Sequence, residues 1–210
     1  MASFRRSDRT LALLDRGYNR GMAPRNAVSR DDRIRLSFAI ASETDAAALV
    51  ALHTAVAEDL TRRFGNGSRW SAPTERGVLS QMRRPKFERM LLAREVARDG
   101  SPRIVGALRL ATKKPWAIDT AYFTPVQKPL YLTGMAVHPE FQRKGVGRFL
   151  LKEAEAAARA WPADGIRLDA YEGEGGAGGF YSKCGYREMA RVAYKGNPLI
   201  YFELILASLA

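Results

Sequence analysis

The sequence predicts an α+β domain: a central mixed sheet of six to seven strands with flanking helices, in three α/β/α layers. Short apolar segments with turn residues between them dominate the first half, which also carries two helical patterns. The second half follows a strand–helix–strand–helix–strand order. Its central strand–helix–strand unit predicts two parallel strands joined by a right-handed crossover.

Each element follows from periodicity, capping residues or turn residues. A first helix is predicted between the N-cap residues 42–45 and the glycines at 65 and 67, and a second over 74–82. The third covers 148–160, and a short fourth carries Phe180, Tyr181 and Cys184. Strands are predicted over 34–40, 90–96, 104–111, 130–137, 166–171, 186–194 and 199–206. Residues 113–129 are interpreted as a long connection over the sheet rather than a core element.

Charge and composition narrow the function classes. The net charge of +12 favours anionic partners such as coenzymes, nucleotides or nucleic acid. Residues 1–32 are predicted to form a flexible basic arm, and residues 33–210 the domain. The segment 1–35 holds nine arginines against four aspartates. Solvated tail, nucleic-acid-contacting arm and transit peptide all stay open for it, with the solvated tail favoured.

Cysteine, histidine and hydropathy counts exclude other classes. One cysteine and two histidines form neither a disulfide framework nor a Cys/His zinc cluster, so no metal is expected. The sequence has no run of about 18 apolar residues, so no membrane segment is expected. We therefore expect a cytoplasmic protein, either a monomer or a homodimer.

A glycine-bearing basic turn between a strand and a helix is the most informative motif. Such a turn places backbone N–H groups at a helix N-terminus, where they bind pyrophosphate. Its residues are Gln142, Arg143, Lys144, Gly145, Val146, Gly147 and Arg148. A P-loop is excluded because neither glycine precedes Lys-Ser/Thr, and a dinucleotide fingerprint because Leu150 stands where the third glycine belongs.

This turn resembles the acetyl-CoA-binding motif of the GCN5-related N-acetyltransferase (GNAT) superfamily. The later segment Phe180-Tyr181-x-Lys-x-Gly-Tyr186 resembles the partner helix of that family, and the likeness extends over about residues 33–206. The resemblance implies an acyl-CoA N-acyltransferase-like fold. It also implies acetyl-CoA as co-substrate, an amine acceptor and direct acetyl transfer.

The resemblance also implies roles for individual residues. Backbone groups of Met135, Ala136 and Val137 would pair with pantetheine, and one of their N–H groups would stabilise the oxyanion. Amides over 143–148 would bind the pyrophosphate. Tyr181 would protonate the departing thiolate. The implied coenzyme residues are Met135, Ala136, Val137, Gln142, Arg143, Lys144, Gly145, Val146, Gly147, Arg148, Glu174 and Phe180. A bulge is expected at Gly134, because glycine inside a strand pattern often marks one. The strand ending at Val137 would separate there from its parallel neighbour and open a cleft.

Two departures from the family pattern leave alternatives open. Glu174 stands where many members carry asparagine, and Thr133 and Met135 occupy the strand that often carries a glutamate. The general base is therefore open, with Glu58, Asp59, Asp169, Glu172 or a water chain as candidates. Three other side chains are expected to serve structure only: Cys184 as a core filler, His138 in a loop and His53 half-buried on the first helix.

The sequence thus predicts an acetyl-CoA-dependent N-acetyltransferase acting on a primary amine. The alternative is a non-catalytic acyl-CoA-binding sensor or regulatory module, and a nucleic-acid-contacting role of the basic arm ranks third. In the family, the acceptor site is shaped by regions that correspond to about 46–81 and 194–198. Aminoglycosides, polyamines, amino acids and protein N-termini all stay open as acceptors.

Overall fold

A single seven-stranded sheet organises the fold. The computed structural model describes residues 34–65, 71–96 and 100–206, so the predicted arm at 1–32 and part of the predicted turn at 99–100 lie outside it. The strands are β1 Leu36–Ile40, β2 Glu88–Val96, β3 Pro102–Ala111, β4 Pro129–Val137, β5 Gly165–Tyr171, β6 Arg187–Tyr194 and β7 Asn197–Ile205. The helices are α1 Ala46–Phe64, α2 Glu75–Met82, α3 Val146–Ala160 and α4 Gly178–Lys183.

The sheet order is β1-β2-β3-β4-β5-β7-β6. Only β4 and β5 run parallel, and α3 connects them as predicted. All other neighbouring pairs are antiparallel. The predicted mixed sheet with flanking helices is therefore confirmed, with seven strands.

Alternation along the central strands separates two apolar cores. Leu91 and Leu108 point toward α3 and α4, whereas Leu92 and Ala107 point toward α1 and α2. Along α3, an apolar stripe faces the core: Leu150, Ala154 and Ala157 are fully buried, and Trp161 packs half-buried at its end. The sheet therefore forms the middle of three layers.

The connection from β3 to β4 differs from its prediction. The sequence predicts that it lies over the sheet without a core role. In the structure, however, Ile118 and Phe123 are buried and form a third small core with Tyr131 and Tyr201. The Tyr201 hydroxyl donates to the carbonyl of Ala117 and accepts from the N–H of Asp119. This connection is thus a fixed wall over the β5–β7 half of the sheet.

The ends of this wall are tied by charge. Glu203 is 2% exposed and faces the guanidinium groups of Arg167 and Arg187, at 3.4 and 3.2 Å. Its carboxylate also accepts the N–H of Thr124 at 3.1 Å, and Arg167 donates to the Thr124 carbonyl at 2.5 Å. Because these partners come from β5, β6, β7 and the connection, the network joins four separate segments.

Candidate active site

Strands β4 and β5 separate at their carboxyl ends. They are paired only from Pro129–Gly165 to Tyr131–Arg167, although the strands continue to Val137 and Tyr171. The predicted separation is therefore confirmed. It leaves a V-shaped opening in the middle of the sheet, where backbone groups of both strands face a cleft instead of each other.

A β-bulge at Gly134 shapes one wall of this opening. Ala107 of β3 pairs with Ala136 and Arg109 pairs with Thr133, so a two-residue step on β3 faces a three-residue step on β4. Gly134 takes a φ of +59°, a conformation that glycine adopts without steric cost. The bulge predicted at this glycine is confirmed. It interrupts the ladder next to Met135, whose backbone is one of those implied for pantetheine binding.

The opening leads into a cleft of about 810 Å³. Thr133 to Val137 line one wall, and Asp169 to Tyr171 line the other. The end of α1 and the glycine-rich segment after β5 meet over it: a Cβ placed on Gly175 would lie 2.9 Å from the ring of Phe64. The cleft therefore has a roof between its two mouths.

The turn before α3 forms an anion-binding site, which we call the anion seat, at one mouth of the cleft. Gln142 donates from Nε2 to the Val137 carbonyl at 3.3 Å and ties the turn to the end of β4. Arg143 and Gly145 take φ values of +59° and +88°, which turn the chain into α3. The first N–H groups of any α-helix have no intrahelical partner. They and the exposed Arg143, Lys144 and Arg148 side chains give this mouth a positive potential.

Val146 and Gly147 act through packing in addition to their backbone. The Val146 side chain is buried in the core, so only its N–H group is available to a ligand. Gly147 lets the first turn of α3 approach its neighbours closely: a Cβ there would lie 3.0 Å from Phe180 Cζ and 3.3 Å from Met135 Cε. The second glycine of the motif therefore brings the anion seat against the cleft wall.

Tyr181 lies inside the cleft rather than on the surface of α4. Its side chain is buried against Phe180, Tyr186 and Phe202, and its hydroxyl donates only a weak hydrogen bond to Met135 Sδ at 3.5 Å. Burial raises the pKa of the Tyr181 phenol well above its ordinary value, and the charge of Asp169 raises it further. The phenol is therefore protonated at neutral pH and directed at the bulged strand.

Asp169 is the one of the four base candidates that lies in the cleft. It stands on β5 opposite Tyr201, on the sheet face that α1 and the β3–β4 connection cover, and it is half-buried. Burial raises the pKa of its carboxyl. No ion pair within the described ranges includes Asp169, so its carboxylate is available to a ligand in the cleft.

The other three candidates are placed elsewhere. Glu58 is exposed on α1, and neither it nor Asp59 lines the cleft. The Asp59 carboxylate is held by Arg62 and Arg63, and Glu172 forms an ion pair with Arg191. Spacing alone does not show which face of β5 or α1 borders the cleft. The sequence therefore does not distinguish Asp169 from the other three base candidates.

The remaining predicted side chains fall on the periphery. Glu174 is exposed at the cleft rim, and Cys184 packs half-buried against the main core, which raises its pKa. His138 caps the short 3-10 turn after β4 by accepting the Glu140 N–H, and burial and Arg103 lower its pKa. His53 is buried, more fully than predicted, which lowers its pKa.

Ala117 was missed as a lining residue. It lines the end of the cleft away from the anion seat, which we call the far mouth. It reaches this position because the β3–β4 connection folds back over the sheet, which its sequence does not show. Leu60, Phe64, Tyr194 and Asn197 share that mouth and come from the two regions that the family resemblance indicates for the acceptor.

The described residues contain no group of three or more His, Cys, Asp or Glu side chains that could hold a metal ion. Across the same residues, the helices are either too short or too polar to cross a membrane.

The open V in a mixed sheet, the bulge and the anion seat define an acyl-CoA N-acyltransferase-like fold. Residues 92–188 match the sequence model of the acetyltransferase (GNAT) domain. This stretch of the chain is therefore similar to the acetyltransferases of the GNAT superfamily. A search of curated proteins returned no significant match.

Solved structures share the fold at low sequence identity. Ribosomal-protein-alanine N-acetyltransferase from Brucella melitensis superposes with a TM-score of 0.59 at 20% identity, over 80% of this chain and 99% of that one. The yncA protein of Salmonella typhimurium, solved with its cofactor acetyl-CoA, gives 0.58 at 17%, over 83% and 96%. The PaiA N-acetyltransferase of Thermoplasma acidophilum, solved with coenzyme A, gives 0.59 at 16%, over 80% and 98%.

Proposed function

We propose that the protein is an acetyl-CoA-dependent N-acetyltransferase that moves an acetyl group directly to a primary amine. One observation carries the proposal: Asp169 and Tyr181 both line the cleft, beside a bulged strand with interrupted pairing. The match of residues 92–188 to the GNAT domain model and the fold neighbours solved with acetyl-CoA or coenzyme A support the choice of donor.

The donor half of the cleft fits acetyl-CoA. Amides from Arg143 to Arg148 would hold the pyrophosphate, helped by the dipole of the 15-residue helix α3 and by basic side chains around it. Backbone groups of Met135, Ala136 and Val137 would pair with the amides of pantetheine as an added strand does. When bound, acetyl-CoA supplies the acetyl thioester. Phe180 packs beside this wall, and Glu174 stays at the rim.

Asp169 is proposed as the general base. A primary amine is largely protonated at neutral pH and must lose a proton before it can attack a carbonyl carbon. Burial raises the pKa of Asp169. Its carboxylate is therefore a stronger base than that of an exposed aspartate and is better suited to take a proton from the amine. Asp169 also faces the far mouth, where Phe64, Tyr194 and Asn197 would surround the acceptor.

Tyr181 is proposed as the acid that protonates the departing thiolate. Its raised pKa keeps the phenol protonated at neutral pH, so the phenol has a proton to give to the thiolate that develops beside it. A backbone N–H next to the Gly134 bulge would stabilise the oxyanion that forms before the thiolate leaves. The amine nitrogen loses two protons in all, one before attack and one as the amide forms, and Asp169 would pass them to solvent. Tyr181 would give one proton to the thiolate and regain one from solvent, so each turnover releases one net proton.

We also propose a domain organisation and a cellular location. Residues 33–210 would form the catalytic domain, and residues 1–32 a basic arm beside it. The single cysteine of the chain fits a reducing compartment, so we place the reaction in the cytoplasm.

The test is acetylation of a panel of primary amines by the full chain with acetyl-CoA. The panel contains aminoglycosides, polyamines, amino acids and peptides with free N-termini, and released coenzyme A thiol and acetylated product are measured together. We expect at least one amine to be acetylated in step with thiol release. Tight acetyl-CoA binding without transfer to any amine would contradict an enzyme and indicate the sensor alternative.

A further inference from the structure

A second cavity adjoins the far mouth of the cleft. It has a volume of about 430 Å³ and lies between the β3–β4 connection and the edge strand β6. Ala117 and Tyr194 line both the cleft and this cavity, so the two spaces are adjacent. We call the second cavity the side groove. A ligand whose amine reaches Asp169 would have room to extend into it.

The side groove runs along the backbone of an edge strand. Val192, Ala193 and Tyr194 all line it, although the side chains of successive strand residues point to opposite faces. The groove therefore reaches the backbone of β6 as well as one of its faces, and Tyr201 of β7 also lines it. Among the residues that the structure describes, β6 pairs with β7 alone, so the N–H and C=O groups on its other edge point outward without a partner in the described sheet.

The opposite side of the groove presents exposed aromatic rings. Trp116 is 86% exposed and Tyr122 is 49% exposed, and Trp116 is the most exposed large hydrophobic residue in the described part of the chain. Such side chains cost little entropy to immobilise and often serve as contact points for a partner chain. Tyr122 is already held edge-on against Tyr201, at 5.9 Å between ring centroids.

This aromatic side is rigid. Lys114 donates from Nζ to the Ile118 carbonyl at 2.6 Å, and the Tyr201 hydroxyl holds Ala117 and Asp119 from below. Ile118 is 1% exposed and anchors the segment in the third core. The groove is therefore formed before any ligand binds, which reduces the entropy lost on binding.

We infer that the acceptor is the N-terminus of a polypeptide whose following residues lie in the side groove as a short strand beside β6. The inference rests on the proposed function. Unpaired backbone groups select a ligand with its own amides, which a peptide has and a polyamine lacks. β6 ends at Tyr194 beside the cleft, so a chain that leaves the cleft toward Val192 runs antiparallel to β6.

An N-terminal amine is favoured over a lysine side chain by the shape of the site. Within the described residues, the groove adjoins the cleft at Ala117 and Tyr194, and its lining continues along β6 to Val192. An internal lysine would require the chain to continue on both sides of the mouth. A free N-terminus requires room on one side only.

The test measures kcat/KM of the full chain for peptide amides of two and five residues with a varied first residue. We expect kcat/KM to rise about tenfold or more with length, because two or three residues then reach the groove. Trp116→Ala should lower the five-to-two ratio about tenfold, the loss expected for a well-placed aromatic contact. Phe87→Ala is the matched control, since Phe87 is also exposed (58%) but does not line the groove. It should leave the ratio unchanged.

Three results would overturn the inference: no length dependence, an equal effect of Phe87→Ala, or acetylation of N-terminally blocked lysine peptides as fast as free N-termini. Polyamines or aminoglycosides measured beside the peptides separate the two levels of the account. If small amines are acetylated and peptides are not, this inference fails and the proposed function stands. If no amine is acetylated while acetyl-CoA binds, both fail.

Discussion

The buried carboxylate of Glu203 allows a quantitative test of how the β3–β4 connection is held over the sheet. Glu203→Gln keeps the shape of the side chain and an acceptor for the Thr124 N–H, but removes the negative charge between Arg167 and Arg187. The Arg167 side chain is 5% exposed, so its charge would remain buried without a counter-ion. Breaking one partner of such a pair costs about 3–5 kcal/mol. We expect the lower end, about 3 kcal/mol, because glutamine still fills the site.

The measurement is thermal and urea unfolding of the variant beside wild type. A loss of about 3 kcal/mol lowers the melting temperature by about 6–12 °C in a domain of this size. Glu140→Gln is the control, because Glu140 is 69% exposed and meets Arg103 only at 3.5 Å, a pair worth at most about 1 kcal/mol. If Glu203→Gln destabilises no more than this control, the argument that the network fixes the β3–β4 connection is wrong.

Three further predictions concern the cleft. Asp169→Asn should lower kcat/KM about 10²–10⁴-fold and remove the limb in which wild-type activity falls as pH drops through the raised Asp169 pKa. The same variant should be more stable than wild type at pH 7. The raised Asp169 pKa stabilises the folded state fully only below the unfolded pKa, and this contribution is lost as pH rises through the folded pKa. Unchanged activity of Asp169→Asn would contradict the base role. Tyr181→Phe should lower kcat with little effect on stability, because the hydroxyl makes only a weak bond to Met135, and full kcat with an unchanged pH profile would refute the acid role. Gly147→Val should weaken acetyl-CoA binding about tenfold by displacing Phe180 and Met135, as calorimetry would show, whereas wild-type affinity would contradict that packing.

Much of the donor side was predictable because it is encoded locally. Gly134 and Gly145 are the residues that a bulge and a left-handed turn require, and both occupy those conformations. The helix predicted over 74–82 is likewise observed, as Glu75–Met82 with Thr74 as its N-cap, and α3 buries the apolar residues that recur at helical spacing. Prediction succeeded where backbone conformation or capping demands a particular residue type.

The acceptor side was less predictable because it depends on distant contacts. Ile118 and Phe123 are buried only because Tyr131 and Tyr201, from later strands, lie beneath them. Asp169 became distinct from the other carboxylates only when the pairing of β5 with β7 and the end of its pairing with β4 were known. Similarly, Asn197 and Pro198 have the composition of a turn but begin β7, since the opposing β6 residues pair with them.

Direct transfer across the cleft, without an acetyl-protein intermediate, is the central claim of this account. Cys184 is the one cysteine of the chain, and burial raises its pKa, which disfavours the thiolate that a nucleophile needs. The most direct measurement uses acetyl-CoA with an isotope-labelled acetyl group in a rapid-quench experiment, with mass spectrometry of both protein and amine. We predict that label appears on the amine in step with coenzyme A release and at no time on the protein. Label on Cys184 or on any other residue before it reaches the amine, or coenzyme A release without labelled amine, would contradict the claim.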